Sequence, residues 1–232
     1  MAFRRPVIVG LPAYNEAARL PGVLRSVVAA MPSAEIVVVD DGSRDGTGDV
    51  AAHHGATVLR HPFNLGYGAA LQTLYKYARR RGADLVVQLD ADGQHDPAEI
   101  PRLAALVTGG ACDLAIGSRF VAPSDYRMGP LRSFGRRLLS ALARFAGVEV
   151  SDPTSGFQAL NGRVIALYCE PFFPPDYPDV DVLVAAVRRG IRIHEVPVKM
   201  YESPRSSTLH GGTRDFYYAY KMLLSLWTES RR

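Results

Sequence analysis

Apolar, β-branched runs alternate with amphipathic segments along this 232-residue sequence, and this alternation is what most constrains its fold. Short runs of this kind predict strands buried on both faces, and the segments between them have helical spacing. A repeated strand–helix–strand order predicts an α/β fold with one mostly parallel sheet flanked by helices. The predicted strands of the first half are residues 7–11, 35–39, 57–59, 85–89 and 114–116, and the predicted helices are residues 16–30, 47–54, 67–81 and 97–108.

The second half of the chain is less regular. Its spacing predicts helices over residues 131–146, 180–189 and 214–227, and a strand over residues 192–198. No repeat, linker or low-complexity segment separates the halves, so we expect a single domain over residues 1–232.

Two carboxylates follow the predicted strand at residues 85–89. Asp90 and Asp92 come directly after its apolar run, and Gln94 lies two residues further on. In open α/β sheets ligands bind at the carboxyl ends of strands. Carboxylate and carbonyl oxygens are the ligands of hard divalent cations. These residues therefore predict a Mg²⁺ or Mn²⁺ site for a phosphorylated substrate.

Other interpretations of the same residues are open. Asp and Gly are ordinary turn residues, so a solvated acidic turn is the simplest alternative. An EF-hand loop needs glycine at its sixth position, whereas Gly93 is fourth, and this interpretation fails. A phosphatase with an aspartyl nucleophile also carries Asp-x-Asp, but we would expect that motif after the first strand rather than the fourth.

Charge and cysteine content limit the class of protein. The formal net charge of +4 and the pI of about 9.2 suit an anionic substrate or membrane surface but are modest for a nucleic-acid binder, so we expect no nucleic-acid partner. Cys112 and Cys169 lie far apart, and the sequence starts without a secretory signal. We therefore expect a cytoplasmic protein without structural disulfides or a membrane-spanning helix.

Polar residues also follow the first three predicted strands, at residues 12–16, 40–47 and 64–68. Tyr14 offers a flat face for stacking, and a carboxylate such as Asp41 can accept a donor from a base or ribose. Asp40 and Asp41 are adjacent carboxylates that repel each other, so we expect Asp41 to be there for a specific reason. Helix capping is the alternative for three residues of these segments, namely Asn15, Asp45 and Thr47.

These segments, taken in order, resemble the signature of family 2 glycosyltransferases of the GT-A fold. Within that family the sequence is most similar to the dolichol-phosphate mannose synthase branch, whose members move a sugar from a nucleotide to a polyprenyl phosphate. The resemblance covers roughly residues 6 to 210. The motifs are residues 12–16, 39–47, 64–68, 90–95, 117–120 and 151–157.

The resemblance implies a GT-A fold with a single Rossmann-like, mostly parallel sheet. Residues of about 1–118 would bind nucleotide sugar and metal, and residues 119–232 would form the acceptor half with a closing C-terminal helix. Mg²⁺ or Mn²⁺ would bridge the donor diphosphate. The implied nucleotide-binding residues are Pro12, Tyr14, Glu16, Asp41 and Asp90, and the implied metal ligands are Asp90, Asp92 and Gln94, with Asp92 counted as catalytic.

The resemblance also implies a polyprenyl phosphate acceptor. Its phosphate is already ionised near neutral pH, so basic residues should bind it and no strong general base is required. We assign Arg119 to this role and count it as catalytic. The other predicted acceptor-binding residues are Arg132 and Arg136, which lie four apart on one helix face, and Ser155. Surface solvation is the alternative for the arginines.

The sequence departs from the family pattern in two places. Many relatives carry Asn near Arg136, and a segment usually written Gly-x-Ser-Lys reads Arg-Ser-Ser-Thr at residues 205–208. Asp179 and Asp181 sit where relatives that act on hydroxyl groups place an acidic residue, so we include Asp181 as a candidate base, with capping as its alternative. A hydroxyl on a glycan, lipid or small molecule is accordingly the alternative acceptor.

Two further interpretations concern the whole protein. The helix at residues 214–227 combines aromatic and leucine residues with basic ones, so it could rest on the inner face of a membrane, although core packing is the preferred interpretation. A membrane-protein partner could also bring the enzyme to a lipid. A non-catalytic nucleotide-sugar binding module is disfavoured because Asp90, Asp92 and Gln94 are all present, and a sugar-nucleotide pyrophosphorylase would need a Gly-rich loop after residue 11.

Overall fold

One mixed seven-stranded sheet organises the computed structural model, which describes residues 6–119, 144 and 147–201. The strands are β1 (Val7–Ala13), β2 (Glu35–Asp40), β3 (Thr57–Arg60), β4 (Leu85–Gln88), β5 (Leu114–Ser118), β6 (Gln158–Asn161) and β7 (Ile193–Pro197). Their order across the sheet is β3-β2-β1-β4-β6-β5-β7.

Most neighbouring strands are parallel. β1 pairs in parallel with β2 and β4, β2 with β3, and β5 with β7, whereas β6 runs antiparallel to both β4 and β5. The predicted α/β fold with one mostly parallel sheet is therefore confirmed. Each predicted strand is present within one or two residues of its expected ends.

The helices cover both faces of the sheet. They are α1 (Leu20–Ala30), α2 (Thr47–His53), α3 (Tyr67–Arg80), α4 (Ile100–Thr108), α5 (Gly162–Tyr168) and α6 (Val180–Arg188), with a 3₁₀ turn at Pro97–Glu99 before α4. None of the helices in the described ranges has the length and apolar character needed to cross a membrane. Apart from residue 144, the predicted helices at 131–146 and 214–227 lie outside the described residues.

Helix α1 begins at Leu20, four residues later than predicted. The backbone N–H groups of Asn15, Glu16 and Ala17 donate to side chains of the β2–α2 loop, and Asn15 has a φ of 56°. These residues therefore form a loop instead of a first helical turn.

Strand β6 and helix α5 were not predicted. β6 has four residues and contains no β-branched residue, so its sequence lacks the usual strand signal. Its pairing with β4 and β5 gives it stability. Asn161 ends the strand and caps α5, since its side-chain oxygen accepts from the N–H groups of Arg163 and Val164.

Alternate residues of the strands pack on opposite sides of the sheet. Ile8 lies in the core that contacts α3, α5 and α6, and Val9 lies in the core that contacts α1 and α4. Burial on both faces explains why β1, β2, β4 and β5 read as continuous apolar runs.

Asp113 connects three strands on the β7 side of the sheet. Its buried carboxylate accepts from the backbone N–H of Arg192 at 2.9 Å, from the Arg192 guanidinium, and from the Asn161 side-chain amide at 2.8 Å. Burial alone would raise the pKa of Asp113, but the hydrogen bonds from Arg192 and Asn161 lower it to about 2. This contact connects the starts of β5 and β7 with the end of β6.

The strand order also positions the site. The chain leaves β1 for β2 on one side and later returns to β4 on the other. The carboxyl ends of β1 and β4 are therefore adjacent at the point where the topology reverses, which is where open α/β sheets bind ligands.

Candidate active site

The loop after β4 carries the two predicted metal ligands. Asp90 and Asp92 are partly exposed, and the backbone N–H of Gln94 donates to Asp92 Oδ1 at 3.0 Å. Burial raises the pKa of both carboxyl groups, and the charge of Asp90 raises that of Asp92 further. Two carboxylates that repel each other in this way provide a favourable position for a cation.

Two side chains hold Asp90 in place. The hydroxyl of Tyr67 donates to Asp90 Oδ1 at 2.8 Å, and the backbone N–H of Asp90 donates to His95 Nδ1 at 3.1 Å. Burial lowers the pKa of His95 to about 4, so its ring is neutral at pH 7, with Nδ1 as acceptor. The ring packs 5.2 Å from that of Phe157.

This donor set fits a cation shared with a substrate. Among the described residues, no group of three or more His, Cys, Asp or Glu side chains could hold a metal alone. Mg²⁺ is usually held by one or two carboxylates together with substrate phosphates, and Asp90 and Asp92 meet that requirement. Gln94 lies in the same loop, where its backbone carbonyl accepts from the backbone N–H of Tyr201 at 2.7 Å. The role of its side chain as a metal ligand remains a prediction.

The loops after β1 and β2 form one connected edge. Asn15 Oδ1 accepts from the N–H of Arg44, and Asp45 accepts from the N–H of Ala17, so each loop holds the other. Tyr14 stands on this edge with 46% of its surface exposed, which suits stacking against a base.

The other predicted residues of this edge are less accessible. Glu16 accepts from Arg19 Nη1 at 2.8 Å. Pro12 is buried within β1, so it is a strand residue and presents little surface to a nucleoside. Of the three residues for which capping is the alternative, Asp45 accepts from both the N–H and the hydroxyl of Thr47 at the start of α2.

Asp41 has a structural role that the sequence did not indicate. Its buried carboxylate accepts from the N–H groups of Leu65 and Gly66 at 2.9 and 3.0 Å and contacts His61 Nδ1 at 2.7 Å. His61 Nε2 lies 2.9 Å from the hydroxyl of Thr73. Asp41 therefore holds the loop after β3, and its contact with a nucleoside remains a prediction.

Arg119, which follows β5, is held by an ion pair. Its Nε and Nη2 donate to Asp152 Oδ2 and Oδ1 at 2.8 and 3.0 Å. Glu195 of β7 in turn accepts from the N–H groups of Ser151 and Asp152. Burial raises the pKa of Asp90 and lowers that of His95, and the charge of Arg119 contributes a downward shift to each, so its guanidinium acts on the site electrostatically.

Ser155 has a structural role that the sequence did not indicate, and its contact with an acceptor remains a prediction. Ser155 is buried, and its hydroxyl donates to the carbonyl of Gly117 at 2.5 Å while accepting from the N–H of Phe157. It therefore fixes the turn that leads into β6. The neighbouring Gly156, which was not predicted, lies against Asp90: a Cβ at this position would be 2.9 Å from Asp90 Oδ1.

Asp179 and Asp181 lie at the start of α6. Asp181 Oδ1 accepts from the N–H groups of Val182 and Asp179, a local contact at the helix start. Burial raises the pKa of Tyr168, and the charge of Asp181 raises it further. Burial likewise raises the pKa of Tyr67, and the charges of Asp90 and Asp179 raise it further.

The remaining predicted acceptor residues, Arg132 and Arg136, lie outside the described residues. Sequence reasoning missed the structural partners of the site, which are Tyr67, His61, Gly156 and Glu195. Tyr67 and Gly156 occur inside recognised motifs, at residues 64–68 and 151–157. Only these motifs could have indicated them, because the partners of both residues are distant in sequence.

The chain is similar to known proteins over most of its length. A sequence profile described as Glycosyl transferase family 2 matches residues 8–166. The chain is 35% identical over 216 residues to polyprenol monophosphomannose synthase of Mycolicibacterium smegmatis, covering 84% of this chain and 77% of the relative. It is 33% identical over 208 residues to undecaprenyl-phosphate mannosyltransferase of Micrococcus luteus, covering 84% of each.

A solved structure shows the same fold. Glucosyl-3-phosphoglycerate synthase from Mycobacterium tuberculosis, in complex with Mn²⁺, UDP and glucosyl-3-phosphoglycerate, matches with a TM-score of 0.67 and 27% identity. The match covers 88% of this chain and 74% of that structure.

Proposed function

Because the chain belongs to glycosyl transferase family 2, and is thus a glycosyltransferase, we propose that it is an inverting, metal-dependent enzyme that moves a hexose from a nucleotide sugar to a polyprenyl phosphate. The observation that carries this proposal is that the carboxylates of Asp90 and Asp92 and the exposed ring of Tyr14 follow the carboxyl ends of two adjacent strands. The first relative named above is a polyprenol monophosphomannose synthase, and the second is an undecaprenyl-phosphate mannosyltransferase.

In this proposal the donor lies across the carboxyl ends of β1 and β4. Tyr14 stacks on the base, Asp41 accepts from it, and Asp90 and Asp92 would hold Mg²⁺ or Mn²⁺. When bound, the divalent cation would stabilise the negative charge that develops on the departing nucleoside diphosphate. Solved structures of the M. tuberculosis synthase with Mn²⁺ or Mg²⁺ and UDP support a divalent cation in such a site.

The acceptor is proposed to attack through a phosphate oxygen. The bond from this oxygen to the anomeric carbon forms as the bond from that carbon to the donor diphosphate breaks, which inverts the configuration. The acceptor oxygen is already ionised, so no side chain has to remove a proton. Arg119, held by Asp152 beside Asp90, supplies positive charge on the acceptor side.

A hydroxyl acceptor is the second candidate. It is supported by the position of Asp179, whose charge acts on Tyr67 next to Asp90, and by the likeness to a glucosyl-3-phosphoglycerate synthase. In that case Asp179 or Asp181 would take the proton of the hydroxyl. A binding module of another class, without catalysis, would bind the donor but produce no glycoside.

Transfer assays test the proposal directly. The purified chain is incubated with Mn²⁺, polyprenyl phosphate and a panel of GDP- and UDP-linked hexoses, and lipid products are identified by mass spectrometry. We expect a polyprenyl phosphohexose from one donor class, formed in the presence of Mn²⁺ and lost in EDTA. Efficient transfer to glycan or alcohol acceptors, with polyprenyl phosphate ignored, would establish the second candidate, and binding without turnover would establish a binding module.

We also propose a cytoplasmic enzyme that meets the inner face of a membrane peripherally or through a membrane-protein partner, because the proposed acceptor is a lipid. Co-sedimentation with anionic liposomes at low and high salt tests direct contact. Attachment through a few basic residues should be weak and salt-sensitive. Binding that persists in high salt would instead indicate apolar insertion.

A further inference from the structure

Tyr67 of α3 contacts the loop after β4 that carries Asp90 and Asp92, which we call the metal loop. It is the first residue of α3, and its hydroxyl donates to Oδ1 of Asp90 at 2.8 Å. The Asp90 side chain retains 32% exposure, so it remains accessible at the site. One oxygen of this carboxylate is therefore engaged by the protein.

The backbone position of Tyr67 is closely determined. Gly66 has a φ of 105°, and the N–H groups of Gly68 and Ala69 donate to the carbonyls of Asp176 and Pro175 at 3.0 and 2.8 Å. A Cβ on Gly68 would come within 2.1 Å of the Pro174 carbonyl oxygen. The segment 174–176 thus caps the first turn of α3 and holds it in place.

Gly156 closes the other side of the Tyr67–Asp90 pair. A Cβ at Gly156 would lie 2.6 Å from the Tyr67 hydroxyl and 2.9 and 3.0 Å from the two Asp90 oxygens. The segment that carries Gly156 begins at Ser151 and Asp152, which Glu195 holds. The absence of a side chain at Gly156 therefore leaves room for the phenol and the carboxylate to meet at this position.

We propose that Tyr67 is a positioning residue, which fixes the orientation of Asp90 so that its second oxygen faces the cation and diphosphate. This inference rests on the proposed function. A carboxylate that binds metal is commonly oriented by a hydrogen bond from a neighbouring group, and losing such a partner typically reduces metal affinity about 10–100-fold. Tyr67 also connects the segment 174–176, just before Asp179, to the metal loop.

Tyr67→Phe tests the inference because it removes one hydroxyl and keeps the ring. Calorimetric titration with GDP or UDP, whichever the parent binds, is repeated across Mn²⁺ concentrations and in EDTA. We expect the Mn²⁺ concentration required for half-maximal nucleotide affinity to rise about 10–100-fold. Nucleotide affinity in EDTA and the melting temperature should stay close to those of the parent.

Tyr77→Phe is the matched control. Tyr77 also lies on α3 and also donates to a carboxylate, that of Glu35, at the opposite end of the helix. Its loss should leave the Mn²⁺ dependence unchanged. Gly156→Ala should displace the Tyr67–Asp90 pair. We expect it, like Tyr67→Phe, to raise the Mn²⁺ concentration required for half-maximal nucleotide affinity.

The possible outcomes separate the two proposals. Unchanged Mn²⁺ dependence in Tyr67→Phe, or an equal loss of affinity with and without metal, would overturn the positioning role while leaving the proposed function in place. A parent protein that binds neither nucleotide with Mn²⁺ would overturn the proposed function, and the inference with it.

Discussion

Arg119 and Asp152 form a two-point ion pair in which the carboxylate is fully buried and the guanidinium nearly so. The pair joins the end of β5 to the segment that leads into β6. The residue predicted to bind the acceptor phosphate therefore also connects two parts of the fold, and its substitution should affect both stability and transfer.

Arg119→Ala should lower the free energy of unfolding by about 3–5 kcal/mol, because it leaves Asp152 buried without its partner. Arg119→Lys should restore only part of this, since an ammonium cannot reproduce the two-point contact. Urea unfolding measures both effects. Arg102→Ala, which removes a more exposed ion pair with Glu99, is the control and should cost much less.

Steady-state kinetics with both substrates varied separates the catalytic part of the Arg119 effect. In Arg119→Lys, transfer to polyprenyl phosphate should fall much more than donor affinity. Equal losses of transfer rate and donor affinity would indicate that Arg119 only stabilises the fold.

Asp92→Ala should abolish transfer while leaving the fold intact, because the carboxylate is partly exposed and its one described hydrogen bond is local. Titration of nucleoside diphosphate with Mn²⁺ measures the loss. Asp49→Asn, which alters an exposed carboxylate paired with Arg60, should bind as the parent does. Parent-like binding of the metal–nucleotide pair by Asp92→Ala would refute the assigned role.

Asp41→Ala should lower both stability and nucleotide affinity. The substitution removes the acceptor for Leu65, Gly66 and His61, and hydrogen bonds to a charged group contribute roughly 1.5–3 kcal/mol. His61→Ala removes one of these contacts and should have a smaller effect on both quantities. Thermal unfolding and calorimetry measure them, and an unchanged nucleotide affinity in Asp41→Ala would limit this residue to holding the loop.

The stability contributed by Asp113 should depend on pH in the acidic range. Its folded pKa of about 2 lies below the ordinary value of 3.8, so the ionised form is favoured in the folded state. The contribution is therefore complete above about pH 4 and is lost as the pH falls towards 2. Urea unfolding of the parent and of Asp113→Asn should show a stability difference at pH 7 that narrows over this interval, and a constant difference would contradict the assignment.

The sequence alone predicted most of the sheet. The strands β1, β2, β4 and β5 have apolar runs, and burial on both faces produces this pattern directly. It also predicted that Asp90 and Asp92 would stand at a strand end, because they directly follow the apolar run of residues 85–89. Strand β6 escaped prediction because its four residues are stabilised by pairing with β4 and β5, which lie far from it in the chain.

Only the tertiary structure decided what the polar residues contact. Asp41 and Ser155 resemble ligand-binding residues in sequence, yet Asp41 holds the loop at residues 61–66 and Ser155 holds the carbonyl of Gly117. The Tyr67–Asp90 contact joins residues 23 positions apart. A local pattern reports whether a residue is polar and where its element ends, but a hydrogen-bond partner is set by how distant segments pack, and that information is absent from the local sequence.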